Sequence, residues 1–415
     1  MVPLVNDTII QLVKQHLIAP PKIRPNGASI WAAKSFAEVE TLRTAWQELN
    51  RHPATDIDAY RLLFKHRPHL QNPYVMALTQ DDKVSAILVG RIENSHLEVR
   101  LGYMPVWKPK VKAIVVPDGG LLGDFTLPNA RLACLHLLES LRQRDADVVI
   151  FEGLKLESDM YRVARSLPGL MQRSHGPRPQ RHWKMRLPSS YEEFLKRLNK
   201  KHRYWLRRLD KVVEKEFPGQ VSIRSFADDW PVDSLLRDLE SVACKTYQRA
   251  LGAGFRNDVE HSGRFALAAS KKLLRAYVLY LGKRPCAFWL GTICKGVFHS
   301  GATGYDAEFR KYELGTLVFM KMLEDLCLEG VSGIDFGPGD ALYKQRFGDE
   351  SWDEVTAHVF STRTRGLIVN VGVSATQTID KHAAGALARL SVLQRLKTKW
   401  RQRLSQRLID SSDQV

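Results

Sequence analysis

The sequence is poor in cysteine and has no pattern of metal ligands. Its 415 residues include five cysteines, scattered singly along the chain: Cys134, Cys244, Cys286, Cys294 and Cys327. None forms a CxxC pair or a cluster with histidine at the spacing of a zinc site. We therefore expect buried free thiols in a reducing compartment, no disulfide framework and no metal cofactor.

Long apolar runs are also missing. No stretch approaches the roughly 20 apolar residues that a membrane-spanning helix needs. The N-terminal segment 9–19 is apolar in parts, but Lys14 and His16 interrupt it, unlike the core of a signal peptide. The sequence thus predicts a cytoplasmic protein.

Acidic residues are too few to balance the basic ones. Aspartate and glutamate number 45 against 62 lysines and arginines, which gives a formal net charge of +17. Such an excess favours anionic partners: a nucleotide-containing cofactor, a nucleic acid or an anionic membrane surface. A basic surface without a dedicated partner is the alternative. The length itself exceeds one ordinary domain and predicts two domains with connecting helices.

The second half of the chain has the clearest succession of elements. Apolar runs at 276–281, 286–294 and 297–304 are separated by Gly-Lys-Arg-Pro and Lys-Gly, and they predict three strands. A turn with Arg310, Lys311 and Gly315 then opens a helix to about Leu328, and 333–337 predicts a short buried strand. A strand that enters a helix through a basic, glycine-containing turn presents free N–H groups and a positive dipole end. Such a turn binds phosphate.

The first half repeats this order of elements with different residues. Strands predicted at 74–78, 84–90, 97–101 and 111–116 precede a glycine turn, a helix at 129–144 and a strand at 147–151. The turn, Pro117 to Asp124, is flanked by acids and has no nearby base, so it is a poor anion site. We assign this half to architecture or to binding of the acceptor substrate. The fold class is α/β (α+β): two tandem units, each a mixed, mostly antiparallel sheet flanked by helices.

Two segments predict basic amphipathic helices. The first, at 191–212, and the second, at about 378–408, each combine one apolar stripe with many lysines and arginines. The apolar stripe packs on the chain's own domain while the charges are solvated, or the basic face contacts a polyanionic acceptor or the inner leaflet of the membrane. The predicted domains are 1–187, a connecting helix at 188–221, 222–371 and a basic tail at 372–415.

Several separate blocks of the second half occur in an order that resembles a known family. They are Arg275–Leu290, His299–Gly315, Ile334–Gly339 and Tyr343–Gly348, preceded by the basic helix. From about Pro188 to Val371 the chain resembles the GNAT acyltransferases, specifically the CelD-type branch of cellulose or exopolysaccharide biosynthesis, relatives of the FemAB peptidoglycan aminoacyltransferases. The resemblance implies transfer of an acyl group, from acetyl-CoA or another acyl-CoA, to an amine or hydroxyl of an exopolysaccharide or cell-envelope precursor.

The resemblance also places the donor. In GNAT folds the strand before the basic turn splays from the next parallel strand, and its backbone binds the acyl arm, while the turn holds the pyrophosphate. The cofactor-binding residues implied here are Tyr305, Arg310, Lys311, Leu314, Gly315 and Thr316. The usual turn has a glycine where this sequence has Glu313, whose carboxylate would repel a phosphate.

Polar residues at the ends of these strands are the candidates for proton transfer and for acceptor binding. We predict His299, Asp306 and Tyr343 as catalytic residues, with Tyr343 protonating the leaving thiolate. The loop at 251–256 predicts an exposed Phe255 and Arg256 near the start of the second unit. These two, with Asp340 and Lys344, are the predicted acceptor-binding residues.

Two other functions fit the same sequence. A FemAB-like transferase using aminoacyl-tRNA would suit the net charge. A non-catalytic subunit of a polysaccharide assembly, peripheral at the inner face of the cytoplasmic membrane through its basic helices, would explain Glu313 and the lack of an obvious base.

Overall fold

The computed structural model describes residues 29–101, 104–226, 230–250, 254–339 and 341–389. They form two compact units, and the division falls inside two strands: residue 182 begins unit 2 and residue 352 returns to unit 1. The tail predicted beyond residue 389 lies outside the described residues. Among the described residues, no helix is long and apolar enough to cross a membrane.

Numbered in chain order, the strands are β1 (Ser29–Ala33), β2 (Leu70–Gln80), β3 (Lys83–His96), β4 (Val99–Leu101), β5 (Met104–Trp107), β6 (Lys110–Val116), β7 (Leu121–Gly123), β8 (Val148–Lys155), β9 (Gln180–Arg186), β10 (Val221–Ser225), β11 (Leu274–Leu281), β12 (Arg284–Cys294), β13 (Val297–Tyr305), β14 (Gly333–Pro338) and β15 (Glu350–Phe360).

The helices are α1 (Phe36–Thr41), α2 (Arg43–Leu49), α3 (Ile57–His66), α4 (Leu127–Arg142), α5 (Asp159–Ser166), α6 (Tyr191–Arg197), α7 (Lys200–Glu216), α8 (Val232–Ala243), α9 (Tyr247–Ala250), α10 (Val259–Ser270), α11 (Leu314–Leu328), α12 (Leu342–Phe347) and α13 (Thr364–Arg389).

Unit 1 is a mixed sheet in the order β1-β2-β3-β6-β8-β15. Its pairs are antiparallel except for β6 and β8, which run parallel. Helices α4 and α5 cover one face, where Phe151 and Leu137 are buried, and α1 to α3 cover another cluster around Trp46. The central strands β2 and β3 contain near-continuous runs of buried residues, as expected of strands that are covered on both faces.

Unit 2 has the strand order β9-β14-β13-β12-β11-β10. Again one pair, β13 with β14, is parallel and the others are antiparallel. Helix α11 is buried on one face together with α6 and α7, and α8 and α10 pack on the other face. The predicted fold, two tandem units each with a mixed sheet flanked by helices, is confirmed.

The predicted basic helix at 191–212 is wrong as a single element, because it is two helices. Leu198 has an extended backbone (ψ 143°), and the side chain of Asn199 accepts the His202 N–H at 2.8 Å, which caps α7. Asparagine is among the best N-cap residues, so the local chemistry starts a new helix here. The amphipathic pattern continues across the break and therefore hides it.

The cysteines agree with the expectation only in part. Cys134, Cys286 and Cys327 are buried free thiols, whereas Cys294 is half-buried and Cys244 is exposed. Cys244 follows the last turn of α8, where its backbone N–H bonds to the Glu240 carbonyl. The expectation of burial is wrong for this residue, because its position is set by the helix end rather than by its apolar neighbours in sequence.

Candidate functional site

Two parallel strands of unit 2 separate partway along their length. β13 and β14 pair through Val297↔Gly333, Phe298↔Ile334 and His299↔Asp335, and no further pair joins them among the described residues, although β13 continues to Tyr305. On its other side β13 has a bulge: Leu290 opposes Ala302 and Gly291 opposes Ser300, so that Gly301 is the extra residue. A bulge bends a strand. The strands therefore diverge after His299 and Asp335, and among the described residues no ladder pair with β14 is formed by residues 300–304.

Among the described residues of unit 1, the parallel pair stays joined to the end of β6. β6 pairs with β8 from Ala113 to Val116, which is the last residue of β6. At the following turn, a Cβ added to Gly119 would lie 2.5 Å from the Cβ of His52, so this backbone is packed against a side chain. The glycines of a phosphate-binding loop leave the backbone accessible to a ligand. At Gly119 the side chain of His52 occupies this space instead.

The basic turn that follows β13 brings the predicted donor residues together. A 3₁₀ turn at Ala307–Tyr312 leads through Glu313 into α11. Arg310 and Lys311 are exposed, and Lys311 Nζ lies 4.6 Å from the ring centre of Tyr312. Tyr305 is exposed at the end of β13. The cations thus border the start of a 15-residue helix, whose dipole favours an anion.

The first residues of α11 are placed differently from one another. Leu314 is buried in the core, so only its backbone is available to a ligand. Gly315 leaves the surface open: a Cβ there would meet a single atom within 4 Å, the Cδ1 of Tyr305 at 3.8 Å. The Thr316 N–H bonds to the Glu313 carbonyl at 2.8 Å.

Glu313 joins the 3₁₀ turn to α11 in a left-handed conformation, with φ 48° and ψ 41°. This region favours glycine, and a residue with a Cβ is strained there by about 1 kcal/mol or more. The backbone therefore has a conformation that favours glycine, although the residue is glutamate. Its Oε2 lies 4.0 Å from the Arg346 Nη1.

A carboxylate between two imidazoles lies where the strands separate. The His182 Nε2 is 2.6 Å from the Asp335 Oδ1, and the His299 Nδ1 is 3.9 Å from the Asp335 Oδ2. All three side chains are largely buried. An ionised carboxylate only accepts hydrogen bonds, so His182 donates from Nε2. His299 and Asp335 form the last paired residues of β13 and β14, which places this cluster at the apex of the opening.

The carboxylate of this cluster is held ionised. Burial raises the pKa of Asp335, but the hydrogen bond and charge of His182 and the Gly337 N–H at 2.8 Å outweigh burial and lower the pKa to about 2. His299 also lowers this pKa through its charge. The His299 imidazole therefore lies within ion-pair distance of a carboxylate that is held ionised.

Asp306, the second predicted catalytic residue, is buried in an ion cluster. Its Oδ2 accepts from Lys245 Nζ at 2.8 Å and from Arg284 Nη2 at 2.5 Å, and its Oδ1 accepts the Glu308 N–H. Burial raises the pKa of Asp306, yet these two cations lower it overall. A carboxylate with two cationic partners that caps a 3₁₀ turn is suited to anchoring the basic turn rather than to moving protons.

Tyr343 lies in an aromatic group beside the helix start. Its ring is edge-on to Trp289, with ring centres 5.3 Å apart, and to Phe336, 5.9 Å apart. Trp289 in turn donates from Nε1 to the Gly315 carbonyl at 3.2 Å. Trp289 thus bridges Tyr343 and the turn that would hold the donor.

The predicted acceptor residues are not gathered in one place. Phe255 is buried among Phe265 and Phe288, with ring centres 6.1 and 6.2 Å away, so the expectation that it is exposed is wrong. Its apolar ring gains more from this core than a polar, glycine-rich loop suggests. Arg256 is exposed as expected.

Lys344 is buried, and its Nζ donates to the carbonyls of Gly337 and Pro338 at 3.1 and 2.7 Å. This ties α12 to the end of β14, where Gly337 and Gly339 both have positive φ. Lys344 therefore holds a turn of the backbone. Asp340 lies outside the described residues.

Sequence reasoning did not assign His182, Trp289 or Arg346 to the site. His182 belongs to β9, which pairs with β14 in the fold although it lies far away in the chain. Only the pairing of these two strands brings its ring to Asp335. Trp289 was recognisable as an aromatic residue of a strand, but a single aromatic there is typical of a core.

Comparison with known proteins supports this account of unit 2. Residues 200–345 match the model of the family described as acetyltransferase (GNAT) domain. A search of curated protein sequences finds no match.

Among solved structures, the chain is similar to FemX at 9% identity, with a TM-score of 0.52, over 77% of this chain and 95% of that one. It is also similar to a conserved protein of unknown function from Bacteroides thetaiotaomicron, at 11% identity and a TM-score of 0.50, over 80% and 100% of the two chains. Identities this low establish likeness of fold alone. The match at residues 200–345 includes the strands that part, the basic turn and α11, and the predicted enzyme class, acyltransferase, is confirmed.

Proposed function

We propose that unit 2 transfers an acyl group, acetyl in the simplest case, from acyl-CoA to an amine or hydroxyl. The observation that carries this is the coincidence of three features in one unit: strands that part after His299 and Asp335, an unobstructed Gly315, and exposed cations at the start of α11. Together they supply a slot for an acyl arm and a site for a pyrophosphate.

Each step of the transfer has a residue suited to it. Arg310, Lys311 and the free N–H groups at the start of α11 neutralise the donor's phosphates. Those backbone N–H groups of residues 300–304 that face the side of β14, where the described residues show no ladder pair, donate to the thioester oxygen as it becomes negative.

His299 then takes the proton of the attacking amine or hydroxyl, and Asp335 stabilises the imidazolium that results. As the new C–N or C–O bond forms and the C–S bond breaks, Tyr343 gives its proton to the leaving thiolate. The edge-on contact with Trp289 keeps the Tyr343 ring beside the helix start.

We further propose that the acceptor is an exopolysaccharide or cell-envelope precursor. The support is the resemblance of the blocks 275–290, 299–315, 334–339 and 343–348 to CelD-type enzymes. An unusual excess of positive charge is consistent with acceptors that carry phosphate or carboxylate groups.

A second candidate, aminoacyl transfer from tRNA, is favoured by α7. The exposed cations of this helix have no ion pair among the described residues: Lys200, Lys201, Arg207, Arg208, Lys211 and Lys215. A pyrophosphate does not need so many charges, whereas a nucleic acid or the anionic inner face of a membrane would use them.

The test is transfer itself. The purified protein is incubated with acetyl-CoA and a panel of amino sugars, and the masses of the acceptors are measured by mass spectrometry. An acceptor that gains one acetyl group, with release of one CoA, supports the proposal. No acetyl-CoA binding at millimolar concentration would reject it, and transfer from aminoacyl-tRNA alone would establish the second candidate.

A further inference from the structure

Glu313 has a side chain that the rest of unit 2 does not use. It is the N-cap residue of α11, yet its carboxylate caps no backbone N–H. Among the described residues its one ionic contact is with Arg346, whose Nη1 is 4.0 Å away, beyond hydrogen-bond length. Both side chains are 43% exposed. An exposed pair at this separation contributes at most about 1 kcal/mol and is easily exchanged.

Arg346 is positioned more firmly than Glu313. Its guanidinium lies over the ring of Trp205, 4.9 Å from the ring centre, which is cation–π geometry. It belongs to α12, which Lys344 ties to the end of β14 and whose Phe347 is buried against Phe319 of α11. The guanidinium is thus held near the start of α11, with one side turned to the carboxylate.

We infer that Arg346 binds the donor's pyrophosphate. Without the donor, the carboxylate of Glu313 pairs with Arg346, and this carboxylate moves away from Arg346 when the donor binds. This rests on the proposed function, since it concerns the same donor site. A phosphate takes an arginine fork through two charge-assisted hydrogen bonds, which are stronger than a 4.0 Å contact with a carboxylate. Arg310, exposed and without an ion pair among the described residues, would bind from the preceding turn.

The exchange explains why a glutamate occupies a position where the backbone favours glycine. Without a donor, Glu313 balances the charge of Arg346 beside a positive helix end. With a donor bound, its carboxylate must turn away from the phosphates, so Glu313 lowers affinity relative to a neutral residue. Arg346 and Glu313 are therefore expected to act on binding in opposite directions.

Calorimetry with two probes tests this: CoA, and pantetheine, which has the same arm without the nucleotide phosphates. Arg346→Met should weaken CoA binding about tenfold and leave pantetheine binding unchanged. Glu313→Gln should tighten CoA binding severalfold. In the double variant this gain should shrink, because part of it comes from releasing Arg346. Arg237→Met, an exposed arginine of α8, is the control for loss of one charge and should bind CoA like the wild type.

The outcomes separate this inference from the function on which it rests. If Arg346→Met binds CoA like the wild type while Arg310→Met is weakened, Arg346 is not a ligand, although the donor site stands. If the wild type binds no CoA, the proposed function fails first. Should Arg346→Met not fold, Arg346→Lys keeps the charge without the planar fork and is expected to bind with intermediate affinity; unchanged affinity of that variant contradicts the inference.

Discussion

At the scale of single residues, the central feature of unit 2 is the carboxylate of Asp335, which lies between the imidazoles of His182 and His299. Asp335 pairs with both His182 and His299. Its charge is secured by His182 and by the Gly337 N–H. The surroundings of the His299 ring therefore depend on residues from β9 and β14 as well as on its own strand.

Replacing His299 tests the assignment of the base. We expect His299→Gln to lower kcat by roughly 10²–10⁴-fold, because the acceptor's proton then has no side chain to take it. KM for acetyl-CoA should change little, since the cations of the basic turn remain. Steady-state kinetics with acetyl-CoA and the best acceptor give both values.

The matched control is His261→Gln. His261, on α10, also pairs with a carboxylate, Asp258, at 2.8 Å, but both side chains are partly exposed at the surface of unit 2. This variant should keep wild-type kcat. Equal losses in the two variants, or none in His299→Gln, would contradict the role of His299.

The lowered pKa of Asp335 also predicts how the free energy of unfolding depends on pH. Its folded-state pKa of about 2 is below the ordinary value of 3.8, so the ionised form stabilises the fold above about pH 4 and this contribution is lost as the pH falls through 2. Between pH 5 and 2 the wild type should lose about 2 kcal/mol more than Asp335→Asn. Urea unfolding at several pH values measures the difference.

Asp233→Asn is the control, because Asp233 is exposed and has no ion pair among the described residues. Its pH dependence should follow that of the wild type. Parallel curves for the wild type and Asp335→Asn would show that the carboxylate is not held ionised by its neighbours.

Individual residues were predictable from the sequence where their strand was predictable. His299 follows from a polar residue in a strand next to a basic turn. Its partner Asp335 is recognisable as a candidate, but His182 is not, because the pairing of β9 with β14 is a long-range contact with no local signal. Phe255 was mispredicted for a related reason. The glycines around it predict an exposed loop, but its ring is buried against Phe265 and Phe288, which lie outside that loop.

Helices and strands were predicted well where the hydrophobic residues recur with a clear helical or strand periodicity. β11 to β14 and α11 begin and end within a few residues of the expected positions, since turn clusters mark every boundary. The break between α6 and α7 was missed because the apolar stripe crosses it. Local capping by Asn199 overrides the periodicity there.

Helix α7 carries a prediction of its own. The triple variant Lys201→Gln, Arg207→Gln, Arg208→Gln removes exposed charges without ion pairs among the described residues, so the free energy of unfolding should change by less than about 1 kcal/mol. If this face binds polyanions, the variant should elute from a heparin column at clearly lower salt, because fewer counterions are released.

A second triple variant controls for the total charge. Lys65→Gln, Lys83→Gln, Arg131→Gln removes three exposed charges of unit 1 and should shift elution much less. Similar shifts for both triples would show that net charge alone governs binding, and the polyanion role of α7 would be abandoned.

At the scale of the whole molecule, the two units have a similar order of elements but differ at their parallel strand pair. In unit 1 the parallel pair stays joined to the end of β6 and the following turn packs on His52, whereas in unit 2 the parallel pair parts at His299. The repeated order was visible in the sequence. Which unit opens depends on the bulge at Gly301 and on pairing between distant strands, and composition cannot report these.

The central claim is that unit 2, at the parted strands and the start of α11, holds the acyl donor. Hydrogen exchange of the full chain with and without acetyl-CoA, followed by mass spectrometry, tests it most directly. We predict slower exchange in peptides covering residues 300–305 and 314–316, and no change at residues 113–123 of unit 1. Unchanged exchange in both unit 2 segments at saturating acetyl-CoA, or protection confined to unit 1, would contradict the account.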